Sequence, residues 1–311
     1  VAHRMPPRRI LEFGVADVSS SRSAINIGKK FSIFGVGGAG NHILDAVLMR
    51  RDTLIDARSP LAGAWKGGIQ TYLPLNTNLA EVNSTYYVKV DQEISEVQTL
   101  QRCVIGDGSG AGKSPIAAIL RLNKEVENRE LFSEAPFNEE DIGRSQAVMY
   151  LHSVVKGTGT GATPPLARYI QEEVLDRDTI YDNPMVSFTI LPNEDRLKRE
   201  SDSETYLENC GFGFGRILSE VELVVPFGND RLNRVASDIS PQIDRLDEYK
   251  HEDAPLNRPL VQFIEAFMLT SNSEFASSGS SGGFGGGGGD FDVPDAFRPA
   301  AEAAPPAEMF D

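Results

Sequence analysis

The chain has 311 residues, of which 40% are hydrophobic, enough to bury one large core or two modest ones. Its 30 Lys and Arg residues stand against 45 Asp and Glu residues, giving a net charge of −15. This balance argues against nonspecific binding to nucleic acid or to an anionic membrane surface. The sequence contains no run of 18 or more apolar residues, so we expect no membrane span.

The cysteines and histidines suggest neither a disulfide framework nor a metal site. Cys103 and Cys210 are the only cysteines, and neither lies in a CxxC motif. We therefore expect reduced thiols in a cytoplasmic protein. The four histidines show no ligand spacing, so the sequence predicts no metal held by protein side chains alone.

Predicted strands and helices alternate along the chain. The pattern predicts strands at residues 30–34, 70–75, 101–105, 147–155, 185–191 and 221–225. It predicts helices at residues 41–51, 115–130, 165–176, 214–220 and 259–269. This alternation is typical of an α/β fold with a doubly wound, mainly parallel sheet and helices on both faces. Ligands of such folds bind at the carboxyl ends of the strands.

Residues 156–164 (KGTGTGATP) lie between a predicted buried strand and a predicted helix. Glycine lets the backbone turn sharply and approach an anion, threonine adds hydroxyl groups, and the next helix directs its first N–H groups at the same place. The segment therefore predicts a phosphate cradle; a flexible Gly/Thr loop is the alternative. The candidate phosphate contacts are Gly157, Thr158, Gly159, Thr160 and Gly161.

Residues 34–41 (FGVGGAGN) form a glycine-rich turn between the first strand and the first helix. Their spacing formally fits the G-x-G-x-x-G dinucleotide fingerprint, so an NAD or FAD site is the rival hypothesis. That fingerprint expects an acid at the end of the second strand, where this chain has residues 76–79 (NTNL). The candidate phosphate contacts here are Gly37, Gly38, Ala39, Gly40 and Asn41.

Taken together, these segments resemble the tubulin/FtsZ family. Residues 155–161 are similar to the signature G-G-G-T-G-T/S-G, with Val155 and Lys156 in place of its first two glycines. Residues 34–41 resemble the first loop of the family, and residues 76–78 resemble its N-T-D motif. Asn78 stands where the family often has Asp, which weakens a link to magnesium-bound water.

Residues 106–115 (GDGSGAGKSP) allow two interpretations. A Walker A loop would need glycine at Asp107, whose carboxylate repels phosphate, and Pro115 follows directly. The segment is more similar to the third phosphate loop of the tubulin/FtsZ family, G-x-G-A-G-x-N-P. The resemblance implies phosphate contacts from Gly110, Ala111, Gly112 and Lys113, with the lysine adding a point charge.

The resemblance also implies residues that contact the nucleoside. Glu194, in the Leu-Pro-Asn-Glu run after the fifth strand, would bind the ribose hydroxyls, and Glu200 is the alternative. Asn229 and Asn257 would contact the guanine edge. Two amides can pair with both the carbonyl and the amine of guanine, which adenine would not satisfy.

The sequence suggests four regions: an N-terminal extension (1–26), a GTP-binding domain (27–255), a core helix (256–272) and a Gly/Ser linker with an acidic tail (273–311). The last region is too poor in apolar side chains to offset its ordering entropy, so we expect it to be flexible. Its acids Asp290, Asp292 and Asp295 resemble the family's synergy loop, which acts in the neighbouring subunit's site; a random acidic tail is the alternative. We expect no counterpart of the family's activation domain within these residues.

The resemblance covers about residues 30–270 and is nearest to the archaeal tubulin-like branch. It implies a GTPase that binds GTP or GDP with Mg²⁺, with an active site completed across a subunit interface. It further implies filaments of this chain, or filaments shared with other tubulin/FtsZ-like proteins, in cell shape or division. The alternatives are a catalytically weak GTP-binding regulator and a Rossmann-type NAD or FAD oxidoreductase.

Overall fold

The computed structural model describes residues 30–56, 68–85, 103–127, 139–175, 183–199, 201–236 and 254–270. These residues belong to the first of two structural units, which ends at Glu274; the second, Phe275–Asp311, lies outside the described residues. Five strands form one sheet in the order β2-β1-β3-β4-β5, and every neighbouring pair is parallel. The strands are β1 (Phe31–Val36), β2 (Ile69–Leu75), β3 (Ala147–Ser153), β4 (Met185–Leu191) and β5 (Leu223–Gly228).

Helices cover both faces of this sheet, which confirms the predicted doubly wound α/β fold. They are α1 (Gly37–Asp56), α2 (Leu79–Ser84), α3 (Pro115–Glu127), α4 (Glu139–Gly143), α5 (Gly157–Tyr169, continued by a π-helical turn, Ile170–Val174), α6 (Glu194–Arg199), α7 (Ser203–Glu220), α8 (Asn229–Ala236) and α9 (Ala254–Thr270). Helices α1, α8 and α9 pack together, and α3, α5 and α7 form the other layer. The chain passes from β1 to β2 on one side of β1 and from β3 to β4 on the other. Because crossovers between parallel strands are right-handed, α1 and α5 are expected on opposite faces.

The core is formed by the central strands and the helices that cover them. All six residues of β1 are buried, because a parallel strand covered on both faces contacts apolar side chains on each side. The rings of Phe34 and Tyr150 stack with centroids 5.7 Å apart. On the side of β4, Phe188 packs edge-on against Phe263 and Phe267 of α9.

A buried ion pair fixes α9 on α1. Arg50 donates from Nε to Glu265 at 3.0 Å and from Nη2 to the other carboxylate oxygen at 3.3 Å. The two side chains are only 13% and 8% exposed. The two bonds to one carboxylate hold the two helices in one relative position.

The prediction of a third strand at residues 101–105 was wrong for the part that the structure describes. Val104 forms only an isolated parallel bridge to Asn76, beside the end of β2. Asn76 N–H donates to Cys103 O at 2.9 Å, and Ile105 N–H donates to Asn76 O at 2.8 Å. Gly106 follows with φ +81°, which turns the chain out of extended geometry at once.

Four helices begin earlier than the sequence predicted, α9 among them, which starts at Ala254. Helix α1 starts at Gly37 and α5 at Gly157, so residues that were predicted as loops form first helical turns. The sequence predicted a helix from residue 165, yet Pro164 and Pro165 lie inside α5. Helix α7 was predicted from residue 214 and starts at Ser203.

Candidate functional site

The candidate site lies where β1 and β3 run side by side and continue into helices on opposite faces. This is the switch point of the sheet, where α/β folds bind ligands. Gly37 follows β1 with φ +76°, and a Cβ built on it would lie 2.9 Å from the backbone N of Gly159. The first glycine turn and the Gly/Thr segment after β3 are therefore in contact, as expected of two parts of one cradle.

The glycines of the Gly/Thr segment are required for packing. A Cβ on Gly159 would lie 2.6 Å from Ser153 O, and one on Gly161 would lie 2.1 Å from Pro115 O. The whole segment Gly157 to Gly161 is buried. Any larger residue at 159 or 161 would push α5 away from β3 or α3, so these glycines fix the position of the helix N-terminus.

The third loop contains alternating glycines in the left-handed region of backbone conformation. Their φ values are 81°, 78°, 87° and 59° at Gly106, Gly108, Gly110 and Gly112. Successive turns of this kind form concave surfaces that bind anions through N–H groups. A Cβ on Gly157 would lie 3.0 Å from Gly112 O, so this loop also contacts the Gly/Thr segment.

Thr77 joins the third loop to the Gly/Thr segment. Its hydroxyl lies 2.7 Å from the hydroxyl of Thr158 and accepts a hydrogen bond from Ala111 N–H at 2.9 Å. Its carbonyl accepts from Gly110 N–H at 2.7 Å. The sequence analysis included the motif that contains Thr77 and did not predict this role. The position of Thr77 just after β2, at the carboxyl edge of the sheet, could have indicated it.

Asn209 of α7 forms hydrogen bonds with the third loop and with the residue before Lys156 at the start of the Gly/Thr segment. Its Nδ2 donates to Lys113 O at 2.9 Å and to Val155 O at 3.1 Å. No local sequence pattern predicts this contact. Lys113 was expected to contribute charge to the phosphates, yet its ammonium pairs with the Asp202 carboxylate and lies 5.4 Å from the ring centroid of Tyr206. Its charge reaches a phosphate only if that pair opens.

The electrostatics of the site favour an anion. The N-termini of α1 and α5 meet there, and neither first turn contains an acidic side chain. Lys156 occupies the N-cap of α5 without a side-chain cap, so the first N–H groups of the helix stay available to a ligand. Within the described ranges, no group of three or more His, Cys, Asp or Glu could hold a metal ion. A magnesium ion would therefore need phosphate oxygens among its ligands.

Buried polar atoms at the site lack hydrogen-bond partners. They are the Thr160 hydroxyl and both amide atoms of Asn41, each on the first turns of a helix that forms the cradle. Burial without a partner costs about 1–3 kcal/mol for each group. These atoms lie on the same first helical turns whose free N–H groups fit a polyphosphate ligand.

His152 lies buried beneath the cradle. Its Nδ1 is 3.2 Å from Gly159 O, and its Nε2 is 2.8 Å from Ser187 Oγ and 3.1 Å from Thr189 Oγ1. A carbonyl only accepts, so Nδ1 has the proton, and the single lone pair of Nε2 accepts from one of the two hydroxyl groups. Burial lowers the pKa of His152 to about 4, which keeps the ring neutral. The neutral ring positions the Gly159 carbonyl.

Two of the predicted nucleoside contacts lie close together at the ends of β4 and β5. Glu194 is the first residue of α6, and its N–H donates to Asp230 Oδ2 at 2.9 Å. Asn229, the first residue of α8, precedes that aspartate and is half-buried. The Glu194 carboxylate also pairs with Lys198 at 2.7 Å. A ribose contact through Glu194 would thus compete with a solvent-exposed ion pair.

Asn257 and Asn78 both form hydrogen bonds within the protein. Asn257, on α9, is buried and donates from Nδ2 to His42 O of α1 at 3.4 Å. Asn78 caps α2, since its Oδ1 accepts from Ala80 N–H at 3.0 Å and from Glu81 N–H at 3.4 Å. Other predicted site residues lie outside the described residues: Glu200, Asp290, Asp292 and Asp295.

A cavity of about 590 Å³ lies away from this site. It is lined by α3, the C-terminal half of α5 and α7, and it includes Arg168, Glu172 and Glu220. Arg168 donates to the Glu220 carboxylate from Nε at 3.1 Å and also from Nη2. The phosphate cradle lies at the N-terminus of α5, at the opposite end of that helix from the cavity. The two are therefore separate.

The model of the tubulin/FtsZ family, GTPase domain, matches residues 30–237, more than half of the chain. The chain belongs to the tubulin/FtsZ family. The match confirms the resemblance seen in the sequence and includes all three glycine-rich segments. It disfavours the Rossmann oxidoreductase, which does not account for the Gly/Thr segment.

Solved structures of archaeal relatives have a similar fold. CetZ from Methanosaeta thermophila strain DSM 6194 has a TM-score of 0.54 and 19% identity, covering 79% of this chain and 55% of that one. CetZ2 from Haloferax volcanii, in a GTPγS-bound protofilament, has a TM-score of 0.51 and 17% identity, covering 78% of this chain and 59% of that one. This tubulin/FtsZ-family chain thus spans less than two thirds of either relative. No curated protein matches it in sequence.

No helix in the described ranges of this tubulin/FtsZ-family chain is long and apolar enough to span a membrane.

Proposed function

We propose that this chain binds GTP and GDP with the phosphates in the cradle at the switch point. The observation on which the proposal rests is the meeting of three glycine-rich segments at the N-termini of α1 and α5: Thr77 bonds to the third loop and to Thr158, and Gly37 contacts Gly159. Backbone N–H groups there can donate to phosphate oxygens without losing any helical hydrogen bond. The proposed phosphate contacts are Gly37, Gly38, Ala39, Gly40, Asn41, Gly110, Ala111, Gly112, Gly157, Thr158, Gly159, Thr160 and Gly161, with Lys113 and Asn78 nearby.

We further propose that the base is guanine. Asn229 and Asn257 would pair with its carbonyl and amine edge, and Glu194 would contact the ribose. These roles come from the family resemblance. They are supported by the positions of Asn229 and Glu194 at the carboxyl end of the sheet and by the packing of Asn257 against α1.

The proposed reaction is hydrolysis of GTP to GDP and phosphate. The chain would contribute little covalent chemistry, because phosphoryl transfer is catalysed mainly by positioning and by neutralising charge. Thr158 and the first N–H groups of α5 would hold the terminal phosphates. Magnesium, when bound, neutralises phosphate charge. The acid that orients water would come from a neighbouring subunit, and Asp290, Asp292 and Asp295 are the candidates.

The proposed mode of action is self-assembly into cytoplasmic filaments that act in cell shape or division. CetZ2 from Haloferax volcanii is described in a GTPγS-bound protofilament, and FtsZ of M. jannaschii is described as a dimer. An active site shared between subunits would couple hydrolysis to assembly. The partners would be copies of this chain or other tubulin/FtsZ-like proteins. The proposed host cell is archaeal.

A second candidate is a GTP-binding regulator with weak hydrolysis. Two observations favour it. Asn78 uses its side chain to cap α2, and it replaces the acid that the family often has there. Lys113 has its charge paired with Asp202. Both features reduce the catalytic groups available at the phosphates.

Two measurements test these proposals. Titration with GTP, GDP, ATP and NADH should show binding of the guanine nucleotides alone; preferential binding of NADH would contradict the proposal. Sedimentation should show assembly with GTP and not with GDP, above a threshold protein concentration. Binding without assembly or turnover would favour the regulator. Gly215→Ala is a suitable control, because nothing lies within 4 Å of the Cβ that it adds.

A further inference from the structure

The carboxylate of Glu81 lies beside the first turn of α1. A Cβ built on Gly38 would be 2.9 Å from Glu81 Oε2 and 3.6 Å from Glu81 Cδ. The same oxygen accepts a hydrogen bond from Asn76 Nδ2 at 2.6 Å. Asn76 is itself buried at the end of β2, so it holds the carboxylate at this place.

The short helix α2 explains how this carboxylate comes to face the cradle. Asn78 begins the helix as its N-cap, and its Oδ1 accepts from the N–H of Glu81. Glu81 therefore stands in the first turn of α2, directed towards Asn76 and Gly38. The side-chain oxygen of Asn78 is used in the cap. The carboxylate at this edge of the cradle is that of Glu81.

The charge of Glu81 has opposite effects with and without a phosphate ligand. Without one, a carboxylate near the N-terminus of α1 is favourable, because the helix dipole is positive there. With a polyphosphate in the cradle, the same carboxylate and the phosphate oxygens repel each other. Magnesium removes this repulsion, since it binds one or two carboxylates together with substrate phosphates.

We propose that Glu81 makes the affinity for a nucleoside diphosphate or triphosphate depend on magnesium. The inference rests on the proposed binding of guanine nucleotides in this cradle. Glu81 acts as an internal anion that disfavours phosphate when no divalent cation is present, and it contributes an oxygen ligand, directly or through water, when magnesium accompanies the nucleotide. Glu81 thereby supplies the negative charge that Asn78 lacks.

Equilibrium binding of GDP and of a non-hydrolysable GTP analogue tests this, in excess chelator and in saturating magnesium. The wild type should bind at least about tenfold more tightly with magnesium. Glu81→Gln keeps the shape and an acceptor for Asn76, so it should bind about tenfold more tightly than wild type in chelator and lose most of the gain from magnesium.

Two further variants separate charge from structure. Glu81→Asp keeps the charge and should keep the dependence on magnesium. Glu173→Gln removes an exposed carboxylate in the π-helical turn at the other end of α5 and should behave as wild type. Circular dichroism should show that every variant is folded.

The outcomes distinguish this inference from the proposed function. If wild type binds guanine nucleotides and Glu81→Gln keeps the same affinity in chelator and the same gain from magnesium, Glu81 has no such role. If wild type binds no guanine nucleotide under either condition, the proposed function is overturned and this inference with it.

Discussion

The hydroxyl groups of Thr77 and Thr158 lie 2.7 Å apart, although 81 residues separate them in the chain. Both side chains are buried beyond the carboxyl ends of β2 and β3, two strands that β1 separates in the sheet. Because Thr77 also accepts from Ala111 N–H, one hydroxyl group fixes the third loop against the first turn of α5. The geometry of the proposed phosphate site therefore depends on a side chain outside every glycine-rich segment.

Thr77→Val should weaken GTP binding by about tenfold to a hundredfold. The change keeps the volume and leaves Ala111 N–H and the Thr158 hydroxyl without their partner, at a cost of about 1–3 kcal/mol. Isothermal titration calorimetry measures the affinity. Thr77→Ser keeps the hydroxyl and should retain most of it; equal losses in both variants would show that the hydrogen bonds are unimportant.

Gly159→Ala should abolish nucleotide binding and lower the thermal unfolding midpoint, because the added Cβ would lie 2.6 Å from Ser153 O. Gly110→Ala tests the cradle with less risk to folding, since its φ of +87° is strained for alanine while its nearest contact is 3.8 Å. It should fold and bind more weakly. Unchanged GTP affinity in both variants would remove the central claim.

The control Gly215→Ala, in the interior of α7, should raise stability by about 0.5–1 kcal/mol, because alanine has the higher helix propensity. Urea unfolding measures this change.

Asn229→Ala and Asn257→Ala should each reduce the preference for GTP over ATP. An unpaired buried amide facing adenine costs about 1–3 kcal/mol, so each variant should lose about tenfold to a hundredfold of the discrimination. Competition of GTP and ATP for one fluorescent nucleotide measures the ratio. Equal affinity of the wild type for the two nucleotides would contradict the assignment of the base.

Acid should destabilise the protein through His152. Its pKa is lowered from 6.5 to about 4 in the folded state, so the unfolded chain binds the proton first. The contribution of His152 is therefore complete above pH 6.5 and is lost as the pH falls towards 4, by about 3 kcal/mol in all.

Urea unfolding at pH 7, 6 and 5 measures this loss. His152→Asn, which does not titrate, should show a shallower decrease with acid than wild type. Equal slopes for the two proteins would show that His152 is not the group responsible.

GTP turnover by this chain should be slow and should rise with protein concentration. The candidate acids follow a glycine-rich tract in the sequence, and a tethered acid is rarely held at hydrogen-bonding distance from the attacking water. Asp290→Ala, Asp292→Ala and Asp295→Ala should change turnover little. Rapid phosphate release that is independent of concentration would show that one subunit has a complete active site.

Much of the fold could be predicted because its signals are local. Alternating buried strands and amphipathic helices predicted a parallel sheet with two helical layers, and the glycine-rich segments after β1 and β3 predicted where a ligand would bind. Element ends were less predictable. Gly37 and Gly157 begin helices even though glycine usually ends regular structure, because close packing against neighbouring segments outweighs their low helix propensity.

The sequence by itself determined the family, the sheet and the three glycine-rich segments, since each depends on residues that are neighbours in the chain. Only the tertiary structure decided which side chains complete the site. Thr77 meets Thr158, Asn209 holds Val155, and Glu81 reaches the turn at Gly38 across long separations in the chain. The paired charge of Lys113 was decided in the same way, because Asp202 approaches it only when α7 packs on the loops. Such contacts leave no local pattern, since each depends on how whole elements pack.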